Sequence, residues 1–430
     1  MTLRSASFIA LALASRSLAA AAHPEFAPEI ITKVRDNMVA ISKLPWEVGT
    51  MQEAVTQLDT PELSVFDATR VPASSRAELP QAALDSMDAA LSSRPSGLRA
   101  FWNTAAVADS ASLGVTAVIA GITTGQNRYN TSAKNQLNYL LHDVPHDGVL
   151  ISHRAETFQA WADFVSMVPP FIAYYGAAQG GQEGKDLLLN AYEQCKGYRR
   201  LLRDEDSGLW MHIVRGGWND TGLWATGNAW GAYGMLRVQQ TIAKSAFARE
   251  LADESGELLQ WTNEILNATW SRQRESGAVL NYMNRKNDFE DSAGTALLAA
   301  STFRMASIIK SPLNIDAAEK ALERIIDLTD DDGWVAGAVD PYNFRRPAEG
   351  NTDGGYSPEA QAFVIFLDAA ARNYYAGLEP PKPAANVGTG SGASATGANT
   401  PAATANSFAH VIEGLVAKLA NSPSHKRHAH

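Results

Sequence analysis

The chain is poor in cysteine, in clustered basic charge and in long apolar runs. Cys195 is the only cysteine in 430 residues. No internal disulfide is available, so stability must come from a core. Cys195 sits in AYEQCKGYRRLL, a helical pattern, and reads as a buried small apolar residue rather than a nucleophile. No run of lysines or arginines could track a phosphate backbone, and the formal net charge is −10; nucleic acid is excluded as a partner. Past the N terminus no segment is apolar for long enough to predict a transmembrane span. There is no paired-histidine helix motif or cysteine cluster for a metal. There is no phosphate-binding glycine loop and no nucleophile elbow. Neither a metal nor a cofactor is expected.

Hydrophobic residues make up 45% and charged residues 19%, which predicts a real core rather than a disordered chain. Residues 1–22 read as a secretory signal: Arg4, the apolar run Phe8 to Ala14, and small residues from Leu18 to Ala22 ahead of His23-Pro24. Export agrees with glycosylation tripeptides at Asn130, Asn219 and Asn267, so the protein is expected to be secreted. Residues 379–430 are a Gly/Ser/Ala/Thr tail with a weakly amphipathic stretch from Ser407 to Leu419. A cell-wall or lipid-anchored form is the variant reading.

Between these ends, residues 23–378 show twelve helical patterns: Pro28–Ser42, Gly49–Leu58, Ser75–Leu91, Leu98–Ile122, Thr131–Leu141, Ala155–Ala178, Glu183–Arg203, Leu223–Lys244, Arg249–Arg272, Asp291–Ile309, Ile315–Leu328 and Pro358–Tyr375. Leu98–Ile122, Ala155–Ala178 and Leu223–Lys244 are the least charged and read as inner helices. GVLISH and GAVLNYM could each pair briefly as strands. Twelve helices with no fixed-period repeat predict an all-α domain, an (α/α)₆ barrel of six helical hairpins, rather than an open solenoid.

The stretch Gly208 to Leu236 has unusual composition. Trp210, Trp218, Trp224 and Trp230 alternate with glycines beside His212 and Asn228. Rings beside polar side chains suit a sugar, which has an apolar face and a polar rim; a Gly/Trp-rich cap on a helix bundle is the plainer alternative. Trp224, Asn228 and Gly231 fall about one turn apart and share a face. Upstream, Asp163 stands between Trp161 and Phe164, where desolvation would raise its pKa and keep it protonated as a proton donor. Downstream, Asp291 opens a helix, where capping precedes catalysis as a reading. The loop Gly350 to Glu359 leads into a helix with Pro358 in its first turn, and offers Asp353 and Tyr356.

These segments, in this order, resemble the six-hairpin glycosidases, in particular the unsaturated rhamnogalacturonyl hydrolases of glycosyl hydrolase families 105 and 88. WADFVSMVPPF is similar to a segment with an aspartate before Met-x-x-Pro-Phe. GLWMH and WATGNAW resemble Gly-Leu-Trp-Tyr-His and Trp-Ala-Arg-Gly-Asn-Gly-Trp, and Asp291 to Ala296 resembles Asp-Ser-Ser-x-Thr-Ala. The resemblance spans roughly residues 30–377 and implies hydration of the C4=C5 double bond of a terminal unsaturated uronic acid. It implies Asp163 as the catalytic acid and base and Asp109 as the nearest second carboxylate, ahead of Asp143. It sets His212 and Trp224 near the sugar; Trp210, Thr226, Asn228, Trp230, Asp291 and Tyr356 are the further candidate substrate contacts. Thr226 departs from the family's arginine, which could grip a carboxylate with two hydrogen bonds; Arg215 and His153-Arg154 are candidate replacements.

The expected function is therefore a secreted glycoside hydrolase acting on pectin-derived oligosaccharides. The alternatives are a two-carboxylate glycosidase on a saturated sugar and a non-catalytic cell-wall protein that binds carbohydrate.

Overall fold

The computed structural model describes residues 23–73, 76–348 and 356–378. The expected signal segment, the C-terminal tail and Asp353 lie outside them. The chain opens with α1 (Pro28–Ile41), followed by the hairpin of α2 (Pro45–Asp59) and α3 (Gln81–Ser93). The short α4 (Val107–Ala111) runs into α5 (Gly114–Thr124), which pairs with α6 (Asn127–His142). Next come α7 (Phe164–Gln179) with α8 (Gly181–Leu202), α9 (Ala225–Lys244) with α10 (Ala252–Trp270), and α11 (Ser292–Ile309) with α12 (Ile315–Leu328). The last helix, α13 (Pro358–Leu378), packs back on α1, so the sixth hairpin joins the two ends of the domain. Helices α2, α4–α5, α7, α9, α11 and α13 each touch the next, and α13 returns to α2. This closed ring is an (α/α)₆ barrel, as the helical patterns predict.

Burial follows composition. The outer α12 buries Ile315, Ala318, Ala321, Leu322 and Ile325, one stripe at three- and four-residue spacing. The inner α9 and α11 are buried nearly all round, and their small residues let neighbours close in. A methyl group on Gly234 of α9 would stand 2.2 Å from the carbonyl oxygen of Val165 on α7. That carbonyl has no helical partner, because the residue four further on is Pro169, which lacks an N–H. Pro170 frees the carbonyl of Ser166 in the same way, and Arg237 Nη1 of α9 donates to it at 2.6 Å. Arg237 also pairs with Glu53 of α2 at 2.6 Å. One buried guanidinium thus repairs the proline-broken helix and ties three inner helices together.

Two inner helices start later than their spacing suggests. Leu98–Ala106 is a loop: the Phe101 and Trp102 N–H groups go to Gln136 Oε1 (2.8 Å) and Ser110 Oγ (3.0 Å), not to helical carbonyls. Ala155–Asp163 is also non-helical and contains a strand. Among the described residues, six short strands form three antiparallel pairs: β1 (His146–Asp147) with β2 (Leu150–Ile151), β3 (Ala160–Trp161) with β4 (Ile213–Val214), and β5 (Val339–Asp340) with β6 (Asn343–Pro347). GVLISH therefore pairs, and GAVLNYM makes isolated bridges through Leu280 and Tyr282. Two segments, Val107–Thr124 and Ser292–Ile309, do reach the length and apolarity of a membrane span. Both lie in the inner ring, where packing against neighbouring helices accounts for their composition. Cys195 is fully buried on α8, and burial pushes its thiol pKa upward, away from reactivity.

Arg237→Ala would leave Glu53 buried without its cation and the Ser166 carbonyl without its donor. We expect a loss of about 3–5 kcal/mol, read by urea unfolding against wild type, with Arg237→Lys recovering part of it. An unchanged midpoint for the alanine variant would contradict this packing account.

Candidate active site

Because each outer helix returns the chain, all inner helices run the same way and their N termini meet at one mouth. Each brings polar or aromatic groups there: Trp46 and Glu47 on α2, Asp109 on α4, Asp163 before α7, Trp224 and Thr226 at α9, Asp291 before α11, and Glu359 on α13. Helix N termini favour anions, yet burial opposes charge. Burial wins at four of these carboxyls, Asp291 among them despite its hydrogen bonds. It pushes Asp109 well above the ordinary carboxylate range, and the nearby Asp163 carboxyl adds to the shift. It raises Asp163, with His212 pulling the other way. It also raises Glu359 strongly, again helped by Asp163 and Glu47. The Glu359 Oε1 accepts from Trp46 Nε1 at 2.5 Å, while Oε2 is buried without a partner.

Loop pairing sets the remaining geometry. Strand β3 lies on β4, and the Ala162 N–H donates to the His212 carbonyl at 2.9 Å, which brings Asp163 beside His212. Asp163 Oδ2 stands 3.7 Å from His212 Nε2; both atoms are buried and otherwise unpartnered. On its other side, His212 Nδ1 lies 3.0 Å from Asp220 Oδ2. Asp220 also accepts from the Tyr282 hydroxyl and, at 3.2 Å, from the Gly222 N–H. Burial pulls Asp220 upward, but the hydrogen bonds from His212 and Tyr282 prevail and hold it at about 2. An ionised Asp220 requires the proton on Nδ1, which leaves Nε2 as an acceptor facing Asp163 in the neutral ring. A second pair stands across the site, with His153 Nε2 3.6 Å from Asp109 Oδ1. Burial lowers the His153 pKa to about 3, so this ring is neutral.

Aromatic rings wall the mouth. Trp161 stacks on His153 at 4.5 Å and meets Trp218 edge-on at 5.5 Å. Phe344, on β6, stands edge-on to His212 at 4.8 Å and parallel to Trp218 at 6.3 Å. Trp224 lies 4.3 Å from His212, with its Nε1 donating to Asn281 Oδ1 at 2.9 Å. Trp218 and Tyr342 keep 44% and 53% of their surface exposed, which leaves apolar rings available at the entrance.

The structure brings Asp109, Asp163, His212 and Trp224 into one cluster. Thr226 and Asp291 lie at the inner-helix N termini and bond each other: Thr226 Oγ1 donates to Asp291 Oδ2 at 2.7 Å. Asp291 also accepts from the N–H groups of Ala293, Gly294 and Val339, each at 3.0 Å. This is the capping role that its position predicts. Trp210 and Asn228 clamp one another, the Asn228 side chain holding both the N–H and the carbonyl of Trp210. Trp230 is buried against Phe363, and Tyr356 stacks on Trp334 at 4.0 Å. Asp143 pairs with Arg99, and Arg154 with Glu156. Sequence reasoning passed over Asp220, Tyr282, Phe344, Trp46 and Glu359. Of these only Glu359 carried a signal, as an acid following Pro358 in a first turn.

A closed ring of six helical hairpins, with buried carboxyls under aromatic rings at one mouth, defines a six-hairpin glycosidase. Residues 81–350 match the family model described as Glycosyl Hydrolase Family 88, and the chain belongs to that family. It is 23% identical over 253 residues to the unsaturated rhamnogalacturonyl hydrolase YesR of Bacillus subtilis, covering 56% of this chain and 68% of that one. It is also 27% identical over 263 residues to a Pelodictyon phaeoclathratiforme protein named adenylosuccinate synthetase, and spans only 56% of that protein's length. Among solved structures, a possible GH105 member from Salmonella enterica shares the fold with a TM-score of 0.64 at 18% identity, covering 80% of this chain and 93% of that one. The unsaturated glucuronyl hydrolase of Bacillus sp. GL1 shares it with a TM-score of 0.56 at 16% identity, over 80% and 94% of the two chains.

The raised Glu359 carboxyl has a stability consequence. The folded state holds its proton more tightly than the unfolded chain, so its contribution is full below the ordinary value of 4.5 and is lost as pH rises through the folded pKa. Glu359→Gln keeps an acceptor for Trp46 and removes the buried acid. We expect a Tm higher than wild type at pH 7–8 by a few degrees, with the gain shrinking below about pH 4.5. A gain independent of pH, or a loss, would contradict the assignment.

Proposed function

We propose that this protein is a secreted glycoside hydrolase that removes a terminal 4,5-unsaturated uronic acid from pectin-derived oligosaccharides by hydrating the double bond. The observation that carries the reading is the facing pair of unpartnered buried atoms, Asp163 Oδ2 and His212 Nε2, 3.7 Å apart. That gap suits a water or sugar hydroxyl bonded to both. Asp163, kept protonated by burial, delivers its proton to C4 of the enol ether. Positive charge then develops at C5 and is shared with the ring oxygen. Water adds to C5 and returns a proton to the Asp163 carboxylate, which completes the acid–base cycle. The C5 hemiketal opens by breaking the bond to the ring oxygen. The resulting C1 hemiacetal collapses to an aldehyde and frees the neighbouring sugar. His212 holds the water through Nε2, and Asp220 and Tyr282 keep that nitrogen an acceptor. The aromatic walls support the apolar faces of the sugar. Residues 1–22 serve as the export signal.

The competing reading is hydrolysis of a saturated sugar by Asp109 and Asp163, favoured by Thr226 in place of an arginine. Ultraviolet absorbance of the conjugated double bond separates the two. With lyase-generated unsaturated digalacturonate we expect falling absorbance together with release of the neighbouring sugar. Asp163→Asn is expected to abolish turnover. Asp220→Asn should lower kcat by about a hundredfold or more with KM within a few-fold, by analogy with other carboxylate-oriented histidines. Near-normal rates in Asp163→Asn, or sugar release with constant absorbance, would overturn the proposal.

A further inference from the structure

A uronate brings negative charge to a floor built of carboxyl groups, so a cation must meet it. At the position where an arginine would serve, Thr226 gives its hydroxyl to Asp291. The chain is acidic, with a net charge of −10, yet one edge of the mouth carries exposed guanidinium groups. We infer that Arg285 and Arg345 form a two-arginine clamp for the substrate's carboxylate. This rests on the uronyl reading of the site and assigns its anion-binding residues.

Arg285 Cζ lies 3.7 Å from the centre of the Tyr282 ring, and Arg345 Cζ lies 5.8 Å from that of Phe344. Both rings belong to the site: the Tyr282 hydroxyl bonds Asp220, which holds His212, and Phe344 stands edge-on to His212 itself. The loops carrying the two arginines are joined, since Asn281 Nδ2 donates to the Phe344 carbonyl at 2.9 Å. Both positive charges act on the Tyr282 hydroxyl. Neither arginine has an acidic partner among the described residues, whereas Arg154 is occupied by Glu156 and Arg346 by Asp340. A guanidinium resting on a ring keeps its edge N–H groups free, and that edge fits a carboxylate bidentately. The ring also limits the rotamers the arginine must give up on binding.

The test measures equilibrium binding by tryptophan fluorescence, with Trp218 exposed in the wall as reporter. The ligands are 4,5-unsaturated digalacturonate and its methyl ester, and the proteins are wild type, Arg285→Gln/Arg345→Gln and Arg346→Gln, each carrying Asp163→Asn for the binding measurement so that the ligand is not consumed. We expect the double variant to bind the acid about tenfold more weakly, as loss of charge-assisted hydrogen bonds at an exposed rim requires. Its affinity for the ester and its circular dichroism spectrum should match wild type. The salt dependence of acid binding should fall with it, and Arg346→Gln should bind as wild type. Unchanged acid binding in the double variant, or equal losses for acid and ester, overturns the clamp. Where wild type turns over the acid and the double variant binds it normally, only the arginine assignment fails. Where wild type neither binds nor converts either ligand, the functional reading fails and the clamp falls with it.

Discussion

The structure depends on one electrostatic conflict. Closing six hairpins into a ring drives the N termini of all inner helices to one mouth, and the chain has put Glu47, Asp109, Asp163, Asp291 and Glu359 there. Helix termini welcome negative charge, but the ring removes water, and near neighbours of like charge add to the cost. The conflict is settled differently at each position. Asp291 receives four hydrogen bonds and becomes a cap. Glu359, Asp109 and Asp163 receive fewer, and burial raises the proton affinity of all four, Asp291 included. A barrel that only needed to be stable would place amides or hydrophobic groups at these positions.

Proton chemistry follows from setting an ionised group within reach of the protonated ones. Asp220 remains a carboxylate because Tyr282, His212 and a backbone N–H all donate to it. It in turn orients His212 through Nδ1, so that Nε2 faces Asp163. The same end of the barrel thus sets Asp163 and His212 face to face, with Asp220 bonded to the far side of the imidazole. Loops, not helices, bring these parts into register, and the β3–β4 pair and the bonds from Asn281 hold the loops. Above the floor, rings and arginines give the mouth an apolar and cationic edge that the acidic interior lacks.

How much of this was legible from sequence follows from what spacing encodes. Inner helices announce themselves by low charge, so α9, the bodies of α5 and α7, and the ring itself were readable. The starts of α4 and α7 were not. Leu98–Ala106 has helical spacing, but its N–H groups are taken by Gln136 and Ser110 from elsewhere in the fold. Asp163 and His212 stood out because aromatic residues flank them. Asp220 hid within a glycosylation tripeptide and Tyr282 within a segment with strand spacing, since their role is a contact 62 residues apart in sequence. Trp210 and Asn228 stood out by composition, and the structure finds them buried. Their composition suggests sugar binding, while their geometry is a mutual clamp.

The central claim is that burial keeps Asp163 protonated beside an ionised Asp220. Infrared difference spectroscopy of wild type against Asp163→Asn, titrated with pH, reads the protonated carboxyl directly. Burial predicts a C=O stretch assigned to Asp163 that persists above the ordinary carboxylate pKa of 3.8, alongside an Asp220 signal that stays ionised down to about pH 2. An Asp163 band that disappears at or below pH 3.8 would contradict it, because an aspartate ionised so readily could not supply the first proton.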